Sequence, residues 1–117
     1  PNGRGDISKI KIFKKSFYLV DESYNSNPLS LKSAISNFDL IKVSSFKKHL
    51  ILGDMLELGK HSKKLHIDLS KIINKTSLKN INVIGKHIER TFENINQSKK
   101  GLILKKGSQI IDLIKKK

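Results

Sequence analysis

The chain has 117 residues and no cysteine, and its 24 Lys and Arg against 10 Asp and Glu give a formal charge of +14. That length fits one compact domain that buries roughly two thirds of the surface its unfolded form exposes; composition excludes a disulfide framework and a thiolate metal site. No apolar stretch approaches the roughly 20 residues of a membrane-spanning helix, and Pro1-Asn2-Gly3-Arg4 carries no signal-peptide pattern, so a cytoplasmic protein without a membrane partner is expected.

Ile10 and Ile12 alternate with lysines and give way, after Lys14-Lys15-Ser16, to the apolar run Phe17-Tyr18-Leu19-Val20. This predicts an N-terminal β-hairpin over residues 7–21, an edge strand turning into a buried one. After a polar segment from Asp21, Asn27 is suited to cap a helix starting at Pro28, where the missing N–H costs nothing. Leu31, Ala34, Ile35, Phe38 and Ile41 then share one helical face. The same unit recurs as strand 48–52, loop 53–61 and a helix from Ser62 with Leu65, Leu69, Ile72 and Ile73 inward. It recurs again as strand 81–84, Gly85 and a helix bearing Ile88, Phe92 and Ile95. Leu102-Ile103-Leu104 reads as a last strand, and Ser108 as the cap of a short helix with Ile110, Ile111 and Ile114 inward.

Strands alternating with helices predict an α/β fold, a mostly parallel sheet flanked by helices, in one domain over 1–117. Ligands of such sheets gather at the carboxyl ends of the strands, so loops 21–27, 53–61 and 85–87 are expected to share the functional edge. The lysines fall as pairs on several elements and end in the triplet Lys115 to Lys117, while Arg4 and Arg90 are the only arginines. Sequence readers of nucleic acid favour Arg and stacking aromatics, so a solvated surface is expected and no specific nucleic acid partner.

The loop Gly53-Asp54-Met55-Leu56-Glu57-Leu58-Gly59-Lys60-His61 stands where a phosphate-binding P-loop would stand, but it fails as one. Its glycine spacing is one residue too long, His61 replaces the Ser or Thr that meets magnesium, and Asp54 and Glu57 would repel phosphate. A glycine-rich turn that places two carboxylates near a cleft is expected instead. His49, His61, His66 and His87 lack metal-ligand spacing, so no metal site is expected in the chain, and His66 is expected to be a packed, hydrogen-bonded histidine. Asp21-Glu22-Ser23-Tyr24-Asn25-Ser26-Asn27-Pro28 gathers two acids, a phenol and amides on one crossover loop. The residues alone leave two readings open: turn and cap chemistry, or a site whose carboxylates accept ribose hydroxyls and whose amides hold a base or peptide.

Gly3-Arg4-Gly5, then DESYNSNPLSLKSAI from Asp21 to Ile35, then LGDMLELG from Leu52 to Gly59 with His66 downstream, resemble the successive motifs of the muramyl ligase family. The match is to the branch that adds D-alanyl-D-alanine, whose pattern reads approximately GRG, DDSYNANPDSMKAAI and LGDMLELG. It covers residues 3–66; beyond, the likeness is one of architecture. The resemblance implies a Rossmann-like C-terminal domain of an ATP-dependent amide-bond-forming ligase. In the intact enzyme a separate domain holds the UDP sugar, and a central one holds the P-loop and Mg2+. The substrates implied are UDP-N-acetylmuramoyl-tripeptide and D-alanyl-D-alanine, acted on by a monomer in peptidoglycan precursor synthesis.

By the same resemblance Arg4, at the hinge, reaches ATP; Asp21, Glu22 and Asn25 bind ATP; and Tyr24 and Asn27 line the substrate cleft. Where the family has Asp before the serine this chain has Glu22, so the ribose contact falls to either Glu22 or Asp21. Lys106-Gly107-Ser108 spells a late family motif, but the helix after it resembles the one before the family's last strand, so the chain is expected to stop short of the true motif. A fragment without P-loop or sugar domain is expected to be inactive alone. Neighbouring readings are other muramyl or folylpolyglutamate-type ligases, which share the fold, and more distantly a basic nucleic-acid-binding module.

Overall fold

The computed structural model describes residues 8–12, 15–20, 28–55 and 58–116. Strands β1 (Ser8–Ile12) and β2 (Lys15–Val20) pair antiparallel, with Ile12 opposite Lys15 and Ser8 opposite Leu19, which is the hairpin expected. Helices and strands then alternate: α1 (Pro28–Asp39), β3 (Lys48–Gly53), α2 (Ser62–Asn74), β4 (Asn80–Ile84), α3 (Ile88–Asn94), β5 (Lys100–Leu104) and α4 (Gly107–Lys116). The sheet order is β1-β2-β3-β4-β5, and β2 through β5 run parallel. This is the mostly parallel α/β sheet that the alternation predicts, and it agrees with the Rossmann-like domain that the resemblance implies.

Because strand order follows chain order, crossovers of one hand carry every connecting helix to the same face. The core reflects this: Leu31, Ile35 and Phe38 of α1, Leu69 and Ile73 of α2, and Ile88 and Phe92 of α3 form one cluster with Leu50, Leu52, Ile81 and Val83. Ile51 alternates to the opposite face, where Leu104 and Leu113 close a smaller cluster under α4. Helices on both faces explain why β3 is buried at all six positions and carries Leu50, Ile51 and Leu52 in succession rather than apolar residues at every second place.

Two local expectations are corrected. On α2, Ile72 is only half-buried and His66 and Ser70 take buried places beside Leu69 and Ile73, while Leu65, half-buried, packs against the main core as expected. The α4 helix starts at Gly107, and Ser108 does not hold its end. The Gln109 side-chain oxygen accepts the backbone N–H of Lys106 at 2.8 Å and that of Lys105, the third-position half of a capping box. The inward residues of α4 are Ile110 and Leu113, while Ile111, 55% exposed, is turned away from that stripe. The inward placement expected of Ile114 lies outside the described side chains, and the cap expected of Asn27 outside the described residues.

Between β4 and β5 the register slips, so that Ile81 pairs with Lys100 and Val83 with Ile103. The β5 amide left over at Leu102 is taken by buried Asn82, whose Oδ1 accepts it at 2.9 Å while Nδ2 donates to the Leu50 and Asn80 carbonyls. Gly101 makes room for this: a Cβ there would lie 2.9 Å from the Ile81 carbonyl oxygen and closer still to Asn82 Oδ1. Gly101→Ala is therefore expected to destabilise the chain by about 1–3 kcal/mol, the usual cost of overpacking. A urea midpoint unchanged from the parent would contradict this account of the bulge.

At the amino edge two lysines leave the solvated surface expected of them. Lys48 Nζ donates to the Asp39 carbonyl at the end of α1 (2.7 Å), and Lys99 Nζ donates to the Thr76 and Leu78 carbonyls just beyond α2 (2.6 and 3.1 Å). Both are buried; Lys48 places a cation where α1 leaves its last carbonyl unpaired, and Lys99 satisfies carbonyls of the connection from α2 to β4. Burial pulls the Lys99 ammonium below the ordinary lysine range. In the pairs Lys47-Lys48 and Lys99-Lys100 one member is thus structural; Lys47 stays exposed, and Lys100 lies over the Phe92 ring at 5.5 Å.

Candidate functional site

Parallel register brings three strand exits to one edge. Val20 lies beside Leu52 and Gly53 beside Ile84, so the segments that begin at residues 21, 54 and 85 leave the sheet side by side. β1 runs antiparallel and Ser8 pairs with Leu19, so the first strand begins at this same edge. Arg4, Asp21, Glu22, Tyr24, Asn25 and Asn27 themselves lie outside the described residues, as does Glu57. Their anchors are described. β2 ends at Val20 on the carboxyl edge, and α1 opens at Pro28.

The loop after β3 is built by three interactions. Asp54 Oδ1 accepts the Ile88 N–H at 2.7 Å and so caps α3, whose own preceding residue, His87, gives no side-chain cap. Gly85 permits this approach. It sits at φ +140°, and a Cβ there would come within 2.7 Å of the Asp54 Cγ. Met55 is buried in the main core, as its position after a buried strand requires, and Leu58 packs at the edge of that core. Gly59, at φ +58°, then turns the chain into the short 3-10 turn Gly59–His61 ahead of α2.

His66 closes the arrangement and is fully buried, a packed and hydrogen-bonded histidine as expected. Its Nε2 accepts the Met55 backbone N–H at 3.0 Å, and its Nδ1 lies 2.8 Å from the Ser62 carbonyl. An amide only donates and a carbonyl only accepts, so Nε2 carries a lone pair and Nδ1 the proton; the neutral imidazole satisfies both. Burial holds its pKa below the ordinary histidine value of 6.5; the Ser62 carbonyl and Asp54 pull the other way, and His87 and Arg90 add to the lowering. Thr91 of α3 donates its hydroxyl to the His66 carbonyl, which ties α2 to α3 under the same loop.

The exposed lysines at the start of α2 behave as a solvated face. Lys60, Lys63 and Lys64 surround an open depression with Ile67 and Asp68, and Lys64 pairs with Asp68 at 2.8 Å. That hydrogen bond is the main reason the Asp68 carboxyl is held below the ordinary range. Among the described residues no group of three or more His, Cys, Asp or Glu is placed to hold a metal ion. No described helix is long and apolar enough to cross a membrane.

No protein-family model matches the chain. Similarity to individual proteins is informative. The chain is 30% identical over 91 residues to the UDP-N-acetylmuramoyl-tripeptide--D-alanyl-D-alanine ligase of Rickettsia prowazekii (strain Madrid E), across 78% of this chain and 19% of that protein. It is 32% identical over 68 residues to the enzyme of the same name from Bacillus subtilis (strain 168), across 58% of this chain and 15% of the relative. A crystal structure of MurF from Acinetobacter baumannii superposes on 96% of this chain with a TM-score of 0.69 at 25% identity. The chain is homologous to the MurF ligases.

A second MurF crystal structure from the same organism, at 22% identity and a TM-score of 0.63 over 97% of the chain, repeats the fold. The chain spans under a fifth of the length of the curated MurF relatives and about a quarter of the MurF crystal chains. Within the MurF-like motif LGDMLELG, the structure gives Asp54 and Met55 local jobs, capping α3 and anchoring to His66. Both reach across at least eleven residues, so the motif alone could not disclose their partners.

Proposed function

We propose that this chain is the C-terminal domain of a cytoplasmic, monomeric ligase that joins D-alanyl-D-alanine to UDP-N-acetylmuramoyl-tripeptide at the expense of ATP, in peptidoglycan precursor synthesis. The observation that carries the reading is the likeness to MurF over 96% of the chain; it is supported by β2, the strand before the polar segment, ending at the carboxyl edge of the sheet. In this reading the domain closes over ATP bound by a central domain and helps place the dipeptide. Arg4 reaches a phosphate, Asp21, Glu22 and Asn25 bind the nucleotide, and Tyr24 and Asn27 line the cleft toward the dipeptide.

The donor set suits the ribose and base of ATP and not its triphosphate. Carboxylates such as Asp21 and Glu22 accept hydrogen bonds from ribose hydroxyls, while the α3 amide that a phosphate would seek is already taken by Asp54. Triphosphate and Mg2+ accordingly belong to the central domain, and this domain contributes Arg4, orientation and exclusion of water as the cleft closes. ATP bound with Mg2+ supplies the phosphoryl group that activates the precursor carboxylate for capture by the dipeptide amine.

The 117-residue chain alone is expected to show neither ATP hydrolysis nor ligation, because phosphoryl transfer needs a P-loop lysine and magnesium ligands that its sequence lacks. The intact ligase is expected to form the amide bond only with ATP and D-alanyl-D-alanine present. Turnover by the rigorously purified chain, or an intact enzyme that takes a single amino acid in place of the dipeptide, would overturn the reading. Tight, steeply salt-dependent binding to a random DNA duplex would favour a nucleic-acid module instead.

A further inference from the structure

The buried imidazole at the carboxyl edge has no part in the chemistry just proposed, yet it decides where the loop after β3 can sit. His66 is fully buried, and its two ring nitrogens hold groups from different elements: the Met55 amide of the loop and the Ser62 carbonyl of its own helix. We propose that His66 is the positioning residue of the Asp54-Met55 corner and a proton-operated latch on it. The neutral Nδ1–H imidazole holds Met55 against α2. Protonation turns Nε2 from acceptor to donor, sets N–H against N–H, and releases the corner.

The charged groups facing the ring come from each element packed on it. Asp54, from the loop itself, favours the imidazolium; His87, with its ring centroid 5.9 Å away, and Arg90 of α3 oppose it. Release has a defined consequence. Asp54 precedes Met55, and its carboxylate holds the Ile88 N–H, so loosening Met55 also loosens the tie between β3 and α3. Because the folded ring resists protonation relative to the unfolded chain, the stability it contributes is fully present above pH 6.5 and is lost as the pH falls through the lower folded value. The meaning of the latch for catalysis rests on the proposed nucleotide-facing edge, whereas its test uses no nucleotide, so the two fail separately.

The test is a pH titration of the 117-residue chain by long-range 1H–15N NMR of the imidazole, with amide exchange followed in parallel. Above pH 6.5 the ring is expected as the Nδ1–H tautomer. On acidification the Met55 amide is expected to exchange about tenfold faster or more in the same transition that protonates Nε2, while the core amides of Leu50 and Ile81 stay protected. His66→Gln, which offers an acceptor and a donor but does not titrate, is expected to abolish that pH dependence. An Nε2–H tautomer at neutral pH, Met55 protection indifferent to protonation, or loss of protection at Leu50 and Ile81 in the same step would overturn the latch. Retention of the pH dependence in the Gln variant would overturn it equally. Should that variant not fold, the titration of the parent chain decides alone.

Discussion

Replacing Arg4 with Ala in the intact ligase is expected to cut turnover by roughly 30- to 1000-fold, the loss of about 2–4 kcal/mol of transition-state stabilisation. Arg4 stands between Gly3 and Gly5, where backbone freedom suits a hinge. The structure adds that β1 begins at the carboxyl edge of the sheet, with Ser8 opposite Leu19. A guanidinium there can make a paired, charge-assisted contact to a phosphoryl group, which a lysine reproduces only in part. Arg4→Lys should therefore recover some but not all of the lost rate, and the melting temperature should stay close to the parent in both variants. An Ala variant that melts normally and turns over within about threefold of the parent makes Arg4 a hinge residue without a phosphate role.

Gly85→Ala is expected to destabilise the chain by about 3 kcal/mol, combining left-handed backbone strain with loss of the α3 cap. Gly85 sits at φ +140°, where a side chain is strained whatever the space around it, and its Cβ would drive into the Asp54 carboxylate. The carboxylate cannot retreat without giving up the Ile88 N–H. Asp54→Ala alone removes only the cap and should cost about 0.5–2 kcal/mol. In that background Gly85→Ala should cost less than in the parent, because the clash has gone and the backbone strain remains. Urea midpoints of the four variants measure both terms; strictly additive effects would refute the contact between Asp54 and Gly85.

Much of this fold was legible in the sequence because its elements carry local signals. Pro28 opens α1, the apolar stripe from Leu31 to Phe38 is buried as read, and Ile88, Phe92 and Ile95 all reach the core. The α4 face was misread because Ile110 and Ile111 are adjacent in sequence but a hundred degrees apart on a helix, and only packing decides that Leu113 completes the stripe. Lys48 and Lys99 were counted with the surface charge because a lysine bound to buried backbone carbonyls looks no different in sequence from a solvated one. The site was legible in a different way. The polar loop announced itself by composition, but the task of Asp54 depends on β3 and β4 lying in register and that of His66 on how α2 packs under the loop, and no local pattern encodes either. His66 was read as packed and hydrogen-bonded, but not as the holder of the Met55 amide.

Hydrogen–deuterium exchange of the intact ligase, with and without a non-hydrolysable ATP analogue and D-alanyl-D-alanine, tests the functional edge most directly. The account predicts new protection in residues 21–27 and 53–61, which leave adjacent parallel strands at the carboxyl edge, with little change at the amino edge around Lys48, Thr76 and Lys99. Protection confined to that amino edge, or none in this domain while the same preparation turns over, would contradict it.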